Sequence, residues 1–157
     1  MKREVIAKKE AGVFTVYLIV FILSLLLFGG AFVMVAMRSE TPIFENLLVW
    51  IVVLGGAVCL GIFGYRGVQA FKTPEIIMET DGKTLFLPNG KTVKLLAVET
   101  VEFKRAKSRG FEYDYGNLIV VTATEKYAFP FVEDVAQVQK RLLALVEKVR
   151  GEATEKE

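Results

Sequence analysis

Four cations fall within six residues: Lys104, Arg105, Lys107 and Arg109. Such a cluster could dock onto an anionic lipid surface, where each basic residue contributes about 1 kcal/mol. The competing account is a solvated strand end and loop, partly neutralised by Glu102, Glu112 and Asp114. Phe111, Tyr113 and Tyr115 follow at alternate positions, so in an extended chain they share one side. They either form a surface for peptide or membrane contact, or open the next strand and enter the core.

Covalent chemistry finds little to work with. The chain has no histidine, which removes the commonest general base and the commonest zinc ligand. Its one cysteine, Cys59, lies inside an apolar run, where it reads as a small apolar packing residue without metal-ligand companions. Ser24 lies in another apolar run, and Ser39 and Ser108 fall in loops without a base beside them. No carboxylate pair has a diagnostic spacing, and no glycine-rich phosphate loop joins a strand to a helix. No catalytic, cofactor-binding or metal-ligating residues are therefore expected. From residue 72 onward there are 14 Lys+Arg and 14 Asp+Glu. A nucleic-acid-binding domain would carry its basic excess in that folded part, so no nucleic-acid partner is expected.

The elements that must position these residues begin with two uncharged runs, 11–37 and 46–65. About 20 helical residues cross a bilayer core of about 30 Å. The runs predict two membrane spans over about 11–37 and 46–67, and they account for a mean hydropathy of +0.42. A signal peptide would have an apolar segment of about 7–15 residues, shorter than the first run. The eight residues 38–45, with Pro42, allow only an antiparallel return, so the spans form a helical hairpin. Lys2, Arg3, Lys8 and Lys9 precede it, Arg66 and Lys72 follow it, and only Arg38 lies between. The positive-inside bias then puts both termini in the cytoplasm, in a multi-pass protein of the cell membrane. Small residues suggest where the helices touch. Gly29 and Gly30 would lie level with Gly55 and Gly56. Ala57, Gly61 and Gly64 share a face whose far end is a candidate contact with a second copy. Neither run has an ionisable core group other than tyrosines near the ends, so a transport path is not expected.

Residues 1–10 read as a charged cytoplasmic flank. From Pro74 the pattern turns strand-like: EIIMET, a turn at Asp81 and Gly82, TLFL, a turn at Asn89 and Gly90, KTVKL, then LAVETVEFKRA. KSRGFEYDYG reads as a polar loop. NLIVVTA and KYAFPFV are further strands, with Pro130 marking an edge or a bulge. A helix is expected over about 133–149, with Glu133 and Asp134 in its first turn. Val135, Val138, Leu142, Leu145 and Val149 form its apolar face. Gly151 is the expected stop, and 151–157 a frayed tail.

The segment GNLIVVTATEKYAFPFVEDVAQVQKRLLALV resembles the end of a bacterial pleckstrin-homology-like (PH-like) domain. Such domains finish with a strand pair, an acidic junction and a helix, and many follow a short membrane hairpin. The resemblance covers 74 to about 149. It implies a bent antiparallel sheet, or split barrel, with the C-terminal helix plugging one open end. The expected fold class is thus a membrane α-helical hairpin followed by an α+β, PH-like domain over 74–150. Eukaryotic relatives bind phosphoinositides through basic residues after the first strand. Here that loop is Asp81, Gly82 and Lys83, and the motif is absent. The resulting expectation is a non-catalytic, membrane-anchored scaffold with an unidentified protein partner. The alternatives are anionic-lipid sensing by the basic cluster, and a structural subunit of a larger membrane complex.

Overall fold

The computed structural model describes residues 3–38, 47–108 and 110–154. The chain divides into two compact units. One is Gly12–Lys72; the other combines Met1–Ala11 with Thr73–Glu157.

The first unit is two helices, α1 (Val13–Arg38) and α2 (Leu47–Lys72), each of 26 residues. Both are long and apolar enough to cross a membrane. Their packing uses a pattern hidden by the uniform apolarity of the sequence. Phe14, Tyr17, Phe21, Ser24, Phe28, Ala31 and Val35 are half-buried at alternating spacings of three and four. That is the seam of a coiled-coil-like pair. Aromatic residues of α1 fill glycine notches of α2. A Cβ on Gly56 would meet Phe28 Cβ at 3.1 Å, and one on Gly64 would meet Phe21 Cε2 at 3.4 Å. The expected contact of Gly29 and Gly30 with Gly55 and Gly56 is thus made by Phe28 instead. Gly29, Gly30 and Gly61 have nothing within 4 Å of where a Cβ would stand, and Ala57 is exposed. The expected face of Ala57, Gly61 and Gly64 therefore divides, with only Gly64 turned to the seam. Most of the link between the helices, including Pro42, lies outside the described residues.

The second unit is α+β. It contains β1 (Glu4–Lys8), β2 (Ile76–Thr80), β3 (Thr84–Phe86), β4 (Thr92–Lys94), β5 (Val98–Ser108), β6 (Phe111–Thr122), β7 (Lys126–Val132) and α3 (Val135–Thr154). Four strands form one antiparallel sheet in the order β1-β2-β3-β4, and three form another in the order β5-β6-β7. An antiparallel bridge between Lys9 and Val132 joins them. It is reinforced by Glu10 N–H donating to Phe131 O (2.8 Å) and Glu133 N–H donating to Lys8 O (2.9 Å). Side chains from both sheets and α3 form one core, which includes Ile6, Met78, Leu85, Leu118 and Leu142. The helix also covers part of the free edge of β5. Gln139 Nε2 donates to Val101 O and Arg150 Nη2 to Val98 O, both at 2.7 Å. Carbonyls that would otherwise face outward unpaired are satisfied in this way.

Three expectations change. Residues 1–10 are not a separate flank, because β1 pairs with β2 from Glu4↔Thr80 to Lys8↔Ile76. Ile6 and Ala7 are 4% and 1% exposed. A β-hairpin would normally join such neighbours with a short turn; here the whole helical unit stands in its place. Second, α3 begins after Glu133 and Asp134, not with them, since Asp134 has a φ of 43°. The helix then runs through Gly151 to Thr154. Third, the polar segment expected as a loop is mostly strand. β5 continues to Ser108 and β6 starts at Phe111. The bulge expected at Pro130 is present. Leu118 pairs with Phe129 and Gly116 with Val132, leaving Pro130 and Phe131 opposite Asn117.

Candidate functional site

The basic and aromatic residues singled out by the sequence meet on one structure. β6 pairs with β7 only from Gly116 to Val121, so β5 and β6 continue past that point as a two-stranded arm. Gly110, with a φ of 87°, lies in its turn.

Strand alternation sorts the arm into two faces. Arg105 pairs with Gly116 and Lys107 with Glu112, so residues 113–115 bulge opposite Ala106. The bulge adds an even number of residues to β6, so the alternation of faces is kept. Phe111, Tyr113 and Tyr115 therefore share a face with Lys104, Ala106 and Ser108. Phe111 is 73% exposed and Tyr113 42%. The Tyr113 and Tyr115 rings lie 5.5 Å apart. Of the two accounts of these aromatics, the strand is present, but Phe111 and Tyr113 do not enter the core.

The opposite face carries Arg105, Lys107 and Glu112. Both cations form ion pairs with Glu112, Arg105 at 3.6 Å. Hydrogen bonding to Lys107, with its charge and that of Arg105, holds the Glu112 carboxyl below its ordinary range. The basic cluster is thus split. Lys104 stands on the aromatic face, Arg105 and Lys107 share a carboxylate on the other, and Arg109 lies outside the described residues. The arm narrows at Gly116, where a Cβ would come within 2.8 Å of Arg105 Cα and closer still to the Lys104 carbonyl oxygen.

At the base of the arm lies an acidic group that the sequence did not single out. Glu10 is held above its ordinary pKa by partial burial, then by the charges of Glu133, Asp134 and Asp114. These residues are distant in sequence and meet only because β1 joins β7, so no spacing signal existed.

A second surface lies over β2, β3 and β4. It is an open cleft of about 470 Å³ whose lining includes Arg3, Met78, Glu79, Phe86 and Lys91. The Arg3 guanidinium stacks 4.2 Å above the Phe86 ring and pairs with Glu79 at 3.6 Å. Lys91 reaches Glu125 at 3.0 Å and clasps the β3–β4 turn to the β6–β7 turn. Among the described residues, no three His, Cys, Asp or Glu side chains group as metal ligands.

The chain was compared with protein-family models, with curated proteins and with solved structures, and it matches none of them.

Proposed function

We propose that this chain is a non-catalytic interaction module, held at the cytoplasmic face of a membrane by α1 and α2 and presenting a PH-like domain there. The pairing of β1 with β2 carries the reading. Residues before α1 and after α2 belong to one sheet, so both flanks of the helices must lie on one side of any bilayer they cross. The basic flanks, Lys8 and Lys9 with Arg66 and Lys72, make that side the cytoplasm. Two sheets of four and three strands, with a single C-terminal helix packed on them, support the PH-like assignment. The module docks a protein partner and, by confinement, raises its effective concentration at the membrane.

Pairing of Arg105 and Lys107 with Glu112 weighs against a headgroup site built from the four-cation cluster. The test uses the full chain crosslinked in its native membrane. Scaffolding predicts a stoichiometric protein partner that is retained when Lys104, Arg105, Lys107 and Arg109 become alanine. Loss of every protein crosslink, together with salt-sensitive binding to anionic vesicles that needs those cations, would overturn it in favour of lipid sensing.

A further inference from the structure

We infer that the outer face of the β5–β6 arm, Phe111, Tyr113 and Tyr115, seats in the headgroup region of the bilayer and orients the domain on it. The inference rests on the reading of α1 and α2 as membrane spans, and it names the face of the domain that meets the lipid.

Three observations carry it. Phe111 and Tyr113 are large, lie on a strand and are exposed among the described residues. Among the described residues their face carries Lys104, with Glu102 one alternation further along β5, whereas the ion-paired Arg105, Lys107 and Glu112 lie on the other. Aromatic rings flanked by a long cation are the composition of membrane interfaces, where the ring body sits among apolar groups and its polar tip stays wet. The third observation is location within the domain. Gly116 at the root of the arm pairs with Val132, which bridges Lys9, three residues before the helical unit begins at Gly12. The arm is thus rooted where the chain leaves the sheet for α1, and a bilayer that holds α1 is the surface most concentrated there.

The acidic group beside the root fixes the character of the contact. Glu10, Asp114, Glu133 and Asp134 oppose anionic headgroups. The seat is therefore made by aromatic burial, and it forms on zwitterionic and anionic membranes alike. A headgroup-binding cation cluster would behave differently, fading with salt.

The experiment uses the full chain, with Cys59→Ala, reconstituted in vesicles of phosphatidylcholine or of phosphatidylcholine with phosphatidylglycerol. An environment-sensitive fluorophore is placed at Ser108→Cys, on the aromatic face with Phe111 intact. A second preparation carries it at Asn89→Cys, in the β3–β4 turn. Lipids spin-labelled near the headgroup should remove most of the emission at 108 in both vesicle types, at low and high salt, and leave 89 unquenched. Phe111→Ala with Tyr113→Ala should abolish the quenching at 108. Quenching of Trp50 by lipids spin-labelled in the acyl chain reports the helices in the same vesicles. If Trp50 is quenched while 108 stays as accessible to water as 89, the arm does not seat and the inference is overturned. A blue shift at 108 without lipid quenching also overturns it, since a protein or a second copy then covers the face. If Trp50 itself is unquenched, the reading of the helices as spans is what fails, and the inference falls with it.

Discussion

Removing β1 should unfold the domain although no residue after 73 is touched. Ile6 is 4% exposed, and replacing such a residue by alanine costs about 2–5 kcal/mol through lost burial and the cavity left behind. A residue in a detached flank would cost within about 0.5 kcal/mol. Deleting the strand removes more than Ile6. The ladder from Glu4↔Thr80 to Lys8↔Ile76 goes, as do the Lys9 bridge to Val132 and the pairing of Arg141 with Glu4. Against a total stability of about 5–15 kcal/mol for a small domain, that loss is decisive. A fragment of residues 73–157 should therefore lack a cooperative urea transition followed by circular dichroism. A chimera joining residues 1–10 to 74–157 through an Asn-Gly turn should restore it, because Lys9 N–H already donates to Glu75 O at 2.9 Å. In that chimera Ile6→Ala should cost about 2–4 kcal/mol. If the fragment unfolds with the chimera's midpoint, or Ile6→Ala costs less than about 0.5 kcal/mol, β1 is not part of the domain and the reasoning is refuted.

The same chimera reports on Glu10. Its folded carboxyl holds a proton more tightly than the unfolded one, so its contribution to stability diminishes as pH rises above its ordinary 4.5. Glu10→Gln should gain on the parent across that rise, seen as a widening difference in urea midpoint; parallel profiles would contradict the acidic grouping. Gly116→Ala should lower stability by about 1–3 kcal/mol, because its methyl group would strike β5 backbone rather than a yielding side chain. A chimera melt unchanged by this substitution would count against the close approach. In the helical unit, Gly56→Leu should destabilise the full chain in detergent while Gly61→Leu should not, since only the first meets Phe28. Equal thermal shifts would remove the aromatic-in-notch packing.

What the sequence shows and hides follows from local physics. The face of α3 is legible because Val135, Val138, Leu142 and Val149 recur at helical spacing on a polar background, and all four are buried. The turn at Asp81 is legible because its side chain does a local job, with Oδ1 accepting from Lys83 N–H (3.0 Å) and Thr84 N–H (2.7 Å). β1 is not legible: five residues of weak alternation stand beside a long apolar run, and the partner strand begins 68 residues further along the chain than Lys8. The arm is misread for the opposite reason. Phe111, Tyr113 and Tyr115 do alternate, but the two glycines and the charges of KSRGFEYDYG read as a loop, and cross-strand pairing with the bulge at 113–115 decides it. The seam of α1 and α2 is masked because both helices are apolar all round. Only the aromatic-to-glycine match across them distinguishes the inner side.

The most direct test of the account is the sidedness of the full chain in sealed vesicles from a bacterial host, with Cys59→Ala as background. An N-terminal tag, a C-terminal tag and Ser39→Cys between the helices are probed from the outside of right-side-out and inverted preparations. The account predicts that both tags are reached only in inverted vesicles and the cysteine only in right-side-out ones, because β1 and β2 must meet on one side. Tags reached from opposite sides would contradict it, since no bilayer-crossing pair of helices could then leave the two strands in one sheet.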